Sequence, residues 1–186
     1  MKIPSVFRRL FAEGAFNQAF IPVLAEYKEK NILEVKNLIN NTLGTLTLAL
    51  LSLTTLVLLF TPIFVMIFAP GFYNEPLKKE LAEDILQITF PYLFFVSLVA
   101  FSGSILNSYQ KFSLPALTPL FYNLILIIAA IWFAPKIEAP IYAIAWGVFF
   151  AGIIQFLIQI PSLVRLGLLP RFKFNMHHPG VRKVMF

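Results

Sequence analysis

Three charged residues and an asparagine stand together in an otherwise apolar stretch, RRLFAEGAFNQAF at residues 8–20. If this stretch is helical, Arg9, Glu13 and Asn17 recur at a spacing of four residues and therefore lie on one face. Glu13 then provides a counter-ion for Arg9 one turn away. Arg8 lies about 100° around the helix, where the same spacing offers no acidic residue. Its charge must find a partner outside its own helix.

A charge at the depth of a bilayer costs about 2.5–3.5 kcal/mol, so it normally faces an interior partner or a water-filled cavity. Three neighbours of Arg8 at helical spacing have small side chains, which leave room for something large: Ser5, Ala12 and Ala15. This pattern favours a helix that lines a cavity.

The alternative places both arginines at the membrane interface, where long side chains reach the lipid headgroups. About 18 residues separate Arg9 from the basic cluster that starts at Lys28, which corresponds to most of a membrane thickness. Gly14 and Pro22 also make this a poor lipid-facing helix. A bent, partly polar helix beside a cavity fits the stretch better, and the interfacial arrangement stays the alternative.

The composition of the chain is that of an integral membrane protein. Of its 186 residues, 59% are hydrophobic and 13% are charged, against roughly 45–50% and 25% in soluble domains. The absence of cysteine excludes disulfides and thiolate metal sites. The net charge of +6 does not indicate binding to nucleic acid, because the basic residues stand between long apolar runs rather than on one polar face.

Four long intervals without any charge predict membrane-spanning helices. They lie between Lys36 and Glu75, between Asp84 and Lys111, between Lys111 and Lys136, and between Glu138 and Arg165. Each exceeds the roughly 20 residues that cross a bilayer as a helix. The predicted fold is all-α and polytopic, with four full spans after the end of an earlier helix. The predicted helices lie at about 4–27, 38–69, 75–109, 115–134 and 140–166.

Basic residues are distributed unevenly between the two ends of these helices. If the helices alternate in direction, nine basic residues fall on one side: Lys28, Lys30, Lys36, Lys111, Arg165, Arg171, Lys173, Arg182 and Lys183. The other side has only Lys78, Lys79 and Lys136, which are mixed with acidic residues. The positive-inside rule therefore places the 28–36 loop, the 110–114 turn and the C-terminal tail in the cytoplasm.

Polar residues form weak stripes at helical spacing along three of the spans. The stripes are Asn41, Thr45, Ser52 and Thr55; Ser97, Ala100, Ser104 and Ser108; and Gly152, Gln155, Gln159 and Ser162. Such stripes are typical of helix–helix packing in membranes. Gln155 and Gln159 are candidates for lining a hydrated cavity instead, because their amides are costly to place in lipid.

The tail after Arg165 is basic and contains the adjacent residues His177 and His178. Adjacent histidines do not share a helical face, and no carboxylate or cysteine accompanies them. A solvated cytoplasmic connector is therefore expected rather than a metal site. The sequence also has no Gly-rich phosphate loop, no Ser/His/Asp set and no paired carboxylates. It predicts no enzyme activity, no cofactor and no metal.

The stretch RRLFAEGAFNQAFIPVLAEY at 8–27 resembles the signature of the MviN/MurJ family, the lipid II flippases of bacterial cell-wall synthesis. The resemblance continues through APGF at 69–72, ITFPYLFFVSLVAFSGSILNSYQKFSLPALTP at 88–119, and Asn123. It covers nearly the whole chain. It departs at Ser5, where the family usually has asparagine after the proline.

This resemblance implies a fold of the multidrug/oligosaccharidyl-lipid/polysaccharide exporter superfamily, with two lobes around a central cationic cavity and alternating access. The implied substrate is undecaprenyl-pyrophosphate-linked peptidoglycan precursor, which moves from the inner to the outer leaflet of the bacterial cytoplasmic (inner) membrane. Arg8 matches the cavity arginine of the family, and Arg9 and Glu13 match its neighbouring charged positions. Arg8 is then expected to grip the pyrophosphate, a role suited to a guanidinium fork, with Arg9, Glu13 and Asn17 beside it.

The resemblance also implies that residues 1–169 are a partial N-terminal lobe and that 170–186 lead to a missing next helix. The expected partners are membrane lipids and the remainder of the same transporter, namely the first helix and the C-terminal lobe. The predicted fragment transports nothing alone. A non-transporting membrane scaffold of cell-wall synthesis is the alternative. A membrane enzyme acting on polyprenyl phosphates is disfavoured, because the sequence has no acidic metal-binding cluster at membrane depth.

Overall fold

A computed structural model describes residues 15–72, 75–175 and 178–185, which form helices and the turns between them, with no strand. Three of the predicted site residues, Arg8, Arg9 and Glu13, lie outside these ranges, and Asn17 lies on the first described helix. The helices are α1 (Ala15–Lys28), α2 (Ile32–Leu59), α3 (Thr61–Phe68), α4 (Pro76–Thr89), α5 (Tyr92–Ser108), α6 (Ser113–Ile128), α7 (Pro140–Arg165) and α8 (Pro179–Met185).

Four helical segments of the described chain are long and apolar enough to cross a membrane. They are Ile32–Leu59, Pro76–Ser108, Ser113–Lys136 and Pro140–Arg165, with lengths of 28, 33, 24 and 26 residues. The prediction of an all-α, polytopic membrane protein is confirmed. Among the helices, α7 is central, since it packs most extensively on α5 and α6 and also contacts α4.

Helix α2 begins at Ile32, six residues before the predicted start at 38. Asn31 has an extended backbone, and its side-chain oxygen accepts a hydrogen bond from the Glu34 amide at 2.9 Å. This is an N-cap, which satisfies one of the free amides of the first turn. Lys36 therefore belongs to the helix. The charged residues Glu34 and Lys36 thus mark the edge of the apolar region and not the first residue of the helix.

The predicted 38–69 helix is divided at Phe60. Pro62 has no amide hydrogen to donate to the Leu58 carbonyl, four residues earlier. The Thr61 hydroxyl instead lies 3.0 Å from both the Val57 and the Leu58 carbonyl oxygens. The chain can therefore change direction there and continue as α3.

The predicted 75–109 helix is likewise divided, at Phe90 and Pro91. The Phe90 amide still donates to the Leu86 carbonyl at 2.8 Å, and the Leu93 amide donates to the Phe90 carbonyl at 2.9 Å. The backbone is helical on both sides of the proline, so Pro91 bends the spanning segment without ending it.

A close approach of α7 to its neighbours is possible because two of its residues have no side chain. A Cβ added at Gly147 would lie 2.8 Å from the Ala129 Cβ, and one added at Gly152 would lie 2.8 Å from the Tyr92 ring. Ala129 begins the widened turn 129–133 at the end of α6. These contacts hold α5, α6 and α7 together.

The C-terminal segment folds back onto the first two helices. Gly167 has a φ of 65°, which ends α7, and Leu168 after it is buried. The Arg171 amide donates to the Asn40 side-chain oxygen at 2.7 Å, and the Lys173 amide donates to the Asn40 carbonyl at 3.4 Å. The Lys173 carbonyl lies against Gly44, where any added Cβ would clash with it.

Helix α8 completes this arrangement by packing on α1 and α2. Its Lys183 ammonium donates to the Glu26 carboxylate at 2.8 Å, which raises the pKa of Lys183. We call Asn40, Gly44, residues 171–173 and α8 the tail clamp. The sequence predicts a solvated connector here, and residues 171–175 are exposed. The structure adds that this tail docks on Asn40 and Gly44, which are far away in the chain.

Candidate functional site

A cavity of about 380 Å³ lies between α5, α6 and α7. Its lining includes two tyrosines, two asparagines, two glutamines and a threonine, and we call it the tyrosine–amide cavity. These residues are Tyr92, Asn107, Thr118, Tyr122, Asn123, Gln155 and Gln159. The remaining lining residues are apolar or small, so none of the described residues brings a charged side chain to the wall.

The two glutamines are held in place by Thr118 on α6. The Gln155 side-chain amide donates to the Thr118 carbonyl at 2.8 Å, and the Gln159 amide donates to the Thr118 hydroxyl at 3.2 Å. This hydroxyl in turn donates to the Leu114 carbonyl at 3.1 Å. The glutamines lie one turn apart on α7 and are 5% and 1% exposed. Their orientation is therefore fixed by hydrogen bonds and by burial together.

The carbonyl ends of the same side chains are unsatisfied. The Oε1 atoms of Gln155 and Gln159 are buried and accept no hydrogen bond. A buried acceptor without a donor costs about 1–3 kcal/mol. Each glutamine thus has one end fixed by hydrogen bonding and an acceptor at the other end that is closed off from solvent.

Prolines keep the α6 side of the cavity irregular. Pro115 and Pro119 both line it, and Pro119 cannot donate to the Pro115 carbonyl four residues earlier. Tyr122, also on α6, and Tyr92 on α5 have their ring centroids 5.6 Å apart at 42°. Gly103 on α5 faces Pro115, and a Cβ there would lie 3.6 Å away, at ordinary contact distance.

The predicted polar stripes divide into two kinds. Most of the hydroxyls and amides on α2 and α5 bond to the preceding turn of their own helix, as Thr45 does to the Asn41 carbonyl at 3.0 Å and Ser97 to the Leu93 carbonyl at 2.8 Å. Ser52 and Thr55 are exposed. Gln155 and Gln159 differ, because both donate to Thr118 on another helix. Both contribute to the wall of the cavity, and that they line a hydrated cavity stays a prediction.

Sequence reasoning missed the other cavity residues, including Tyr92, Asn107 and Thr118. Asn123, an amide near the middle of an uncharged interval, is a signal that could have indicated the cavity. The sequence analysis named this residue only as part of the family resemblance. A second signal is the pair Pro115 and Pro119 on either side of Thr118. Within the described residues, no three His, Asp or Glu side chains converge in a way that could hold a metal ion.

Comparisons with known proteins agree with one another. A family model described as lipid II flippase MurJ matches residues 1–186. The probable lipid II flippase MurJ of Buchnera aphidicola subsp. Baizongia pistaciae is 44% identical over 185 residues, which are 99% of this chain and 36% of the relative. That of Vibrio cholerae serotype O1 is 41% identical over 191 residues, 98% of this chain and 36% of the relative.

The fold is also similar to that of a solved structure. The lipid II flippase MurJ in its inward closed conformation superposes with a TM-score of 0.78 at 31% identity, over 98% of this chain and 37% of that one. The chain thus spans a little over a third of the length of these relatives.

Proposed function

Because the chain belongs to the MurJ family of lipid II flippases, we propose that it is part of a flippase for lipid-linked peptidoglycan precursor. The substrate moves from the inner to the outer leaflet of the bacterial cytoplasmic membrane. The observation that carries this proposal is the family match over residues 1–186. The activity is transport, with no bond of the substrate made or broken.

We propose further that the chain works together with the helices that complete its relatives. The segment Ser113–Lys136 supports this, because it is the least buried of the four spans. Asn123 is exposed near the middle of this segment. An amide facing lipid at that depth is costly, so this face is expected to meet protein or water. Alternating access then moves the present helices against that second part.

The proposed substrate site is Arg8, with Arg9, Glu13 and Asn17 beside it. Arg8 has no acidic residue at helical spacing, and its guanidinium fork matches the geometry of a pyrophosphate. Arg9 and Glu13 are four residues apart in the sequence, so in a helix they would pair one turn apart and set the charge next to Arg8. Arg8 thus binds the pyrophosphate, and the Arg9–Glu13 pair adds no net charge beside it.

The proposed orientation has the basic loops and the tail in the cytoplasm. The nine basic residues named above support it through the positive-inside rule. Their ends of the helices lie together, since the Lys28 ammonium donates to the Ser108 carbonyl at 2.6 Å and α8 packs on α1. The acidic residues Glu75, Glu80, Glu83 and Asp84 then face outward.

The test is growth rescue of a flippase-depleted bacterium by a full-length transporter that carries this segment. Arg8→Ala is expected to abolish rescue at normal abundance in the membrane. Arg8→Lys should rescue only in part, because an ammonium keeps the charge but loses the bidentate geometry. Full rescue by Arg8→Ala at normal abundance would contradict the assignment of the site.

Arg9→Ala serves as the matched comparison. It leaves Glu13 without its partner, so lower abundance should accompany lost rescue. Replacing Arg9 and Glu13 together with neutral residues should restore abundance better than Arg9→Ala alone. If neither arginine matters while the protein is needed for the assembly of cell-wall enzymes, the scaffold alternative replaces transport.

A further inference from the structure

We propose that residues 171–174 lie in the headgroup region of the membrane and bind acidic phospholipid there. These residues, which we call the aromatic–basic strap, are the part of the tail clamp that packs on α2. In the bound state the rings of Phe172 and Phe174 enter the acyl region, and the side chains of Arg171 and Lys173 meet the lipid phosphates. The class of ligand is argued from the strap and α2 alone. Its assignment to the inner leaflet rests in addition on the proposed orientation.

The main chain of the strap is held on α2 at alternate residues. The amides of Arg171 and Lys173 both donate to Asn40, at 2.7 Å to its side-chain oxygen and at 3.4 Å to its carbonyl oxygen. The Lys173 carbonyl lies against Gly44. Amides two residues apart that point the same way are typical of an extended chain, and no helix includes the strap. The strap is thus an extended segment in a fixed position on α2.

The side chains of the strap alternate between basic and aromatic. In an extended chain successive side chains point to opposite faces, so Phe172 and Phe174 share one side and Arg171 and Lys173 the other. All four residues are exposed, the two phenylalanines by 58% and 51%. One side of the strap therefore favours apolar surroundings, and the other favours water or anions. The membrane interface offers both within the length of a side chain.

The strap lies where the surface of α2 changes from charged to apolar. Its contacts, Asn40 and Gly44, are one turn apart on a single face of the helix. Four residues before Asn40 on this face is Lys36, which is exposed. Four and seven residues after Gly44 are Leu48 and Leu51, which are exposed within a membrane-spanning segment. Because a spanning helix keeps its charges outside the acyl region, the strap lies at the depth of the headgroups.

The charges on this surface select an acidic lipid. Arg171 and Lys173 are bound to Asn40, and Lys36 lies one turn below Asn40 on the same face, so three exposed cations belong to one level. The acidic residue Glu34 of α2 lies about 120° around the helix from Asn40. Each cation near a membrane surface strengthens association with acidic lipid roughly fivefold. Guanidinium and ammonium groups also donate hydrogen bonds to phosphate oxygens.

The rest of the transporter is the other candidate cover for the two rings. The exposed apolar surface of α2 continues from the strap to Leu48 and Leu51, so lipid that covers these leucines also reaches Phe172 and Phe174. A covering protein would need an apolar surface and an acidic surface on opposite sides of the same extended segment. Acidic lipid is therefore the occupant proposed here, and a protein cover is an outcome that overturns the proposal.

The first experiment determines on which side of the headgroups each strap side chain lies. Residues 171–174 are replaced by cysteine one at a time in a full-length transporter without other cysteines, since this chain has none. Each cysteine carries a small bimane fluorophore, and the protein is reconstituted into nanodiscs of phosphatidylglycerol and phosphatidylcholine. A nitroxide on the acyl chain should quench positions 172 and 174 more strongly than 171 and 173. An aqueous quencher should show the reverse order.

Two other patterns would contradict this arrangement. If neither quencher reaches positions 172 and 174, protein covers the rings and the proposal is overturned. If the aqueous quencher reaches all four positions equally, the strap lies in water and the proposal is overturned as well. Because all four side chains are exposed, their replacement leaves the main-chain contacts with Asn40 and Gly44 in place.

The second experiment tests the class of lipid with the fluorophore in the Phe174→Cys protein, which retains Phe172 and both cations. Phosphatidylglycerol with a nitroxide on its acyl chain should associate about fivefold or more strongly than the matching phosphatidylcholine. Arg171→Gln together with Lys173→Gln should remove most of this preference. Lys78→Gln together with Lys79→Gln changes the net charge equally at a distant helix, α4, and should leave the preference as it is.

A fluorophore at Met66→Cys gives the reference for ordinary lipid contact. Met66 on α3 is exposed and belongs to an interval without charges, so both lipids should quench there equally. Equal preference at positions 66 and 174 overturns the binding of acidic lipid, and so does a preference that survives loss of Arg171 and Lys173. Both faces of a nanodisc are open and no transport is measured, so the proposed function and orientation can fail while this result stands, and the reverse.

Discussion

The tail clamp and the tyrosine–amide cavity use the same kind of side chain for opposite purposes. In the tail clamp, the Asn40 carbonyl oxygen accepts the Arg171 amide at 2.7 Å, and so ties two segments together. In the cavity, the Gln155 and Gln159 carbonyl oxygens are just as buried and accept nothing. A buried amide that is satisfied stabilises the fold, whereas one left unsatisfied costs free energy. The contrast separates an amide that ties two distant segments together from two amides that are satisfied at one end only.

The two regions also differ in how closely the backbone is packed. At Gly44 the tail clamp brings the Lys173 carbonyl so near that a methyl group has no room. In the cavity, Gly103 faces Pro115 at ordinary contact distance. The tail clamp is thus a closed contact between main chains, and the cavity an open space between side chains.

The largest effect is expected from Gly44→Ala. In an exposed helix this change gains about 0.5–1 kcal/mol of helix propensity. Here the methyl group meets a backbone carbonyl that cannot rotate away, so residues 171–173 must move off α2. Overpacking of this kind costs roughly 1–3 kcal/mol. Thermal unfolding in detergent should shift down by several degrees, and trypsin should cut faster at Arg171 and Lys173.

Gly71→Ala is the control for that prediction, because a Cβ added at Gly71 meets nothing within 4 Å. It should leave both the unfolding temperature and the cleavage rate as they are. If Gly44→Ala behaves like this control, the close docking of the tail on α2 is wrong.

A smaller effect should separate the two kinds of amide directly. Asn40→Leu removes the acceptor of the Arg171 amide and should cost about 1–2 kcal/mol of unfolding free energy. Gln155→Leu removes one hydrogen bond to Thr118 but also an unsatisfied acceptor, so we expect a cost below about 1 kcal/mol. Asn40→Asp keeps an acceptor at the same place and should retain most of the stability. Denaturant titrations of the three variants measure the difference.

The outcome of this comparison shows whether the cavity glutamines contribute to the stability of the fold. If Gln155→Leu destabilises as much as Asn40→Leu, the cavity glutamines are structural, and the contrast between the two regions disappears. If Gln155→Leu leaves the unfolding free energy nearly unchanged, the Gln155 amide does not stabilise the fold, and the contrast with Asn40 holds.

How much the sequence predicts differs between these regions. The four spans follow from uncharged intervals, because a charge inside lipid is costly whatever the tertiary structure. Gln155 and Gln159 could be picked out because amides are conspicuous on a span without charges. The positions where α2 begins and where α3 and α5 follow a break depend on capping and on prolines, so they were predicted only approximately.

The remaining features depend on contacts between distant parts of the chain. Asn40 and Arg171 are 131 residues apart, and nothing local in the basic tail indicates that it docks. Tyr92 lies near the middle of the span Pro76–Ser108 and Asn107 near its end, so nothing local relates them to each other. Only the convergence of α5, α6 and α7 makes them the wall of a cavity. The proposed arginine site was recognised from the resemblance and from helical spacing, and stays a prediction.

The smallest expected effect concerns His178, which lies beside the tail clamp. Its ring centroid is 5.8 Å from that of Tyr27 on α1, and its Nδ1 is buried with no partner. Burial lowers the pKa of His178, and Lys30 lowers it further, while Glu34 on α2 acts in the opposite direction. The neutral form is thus favoured in the docked state, so docking of α8 is fully stable above the ordinary histidine pKa of about 6.5. It weakens as the pH falls below that value towards the folded pKa.

Hydrogen exchange of the α8 amides, corrected for the intrinsic effect of pH on exchange, measures this docking. Protection should be lower at pH 5.5 than at pH 7.5, and the change should be modest because His178 is only partly enclosed. Both proteins compared carry His177→Gln, so that His178 is the one titrating group of the pair. His178→Phe preserves a ring against Tyr27 and removes the titration, so its protection should not depend on pH over this range. An equal loss of protection in His178→Phe would contradict the assignment to His178. The Lys183–Glu26 pair does not account for such a loss, because their hydrogen bond lowers the pKa of Glu26 and raises that of Lys183, away from this range.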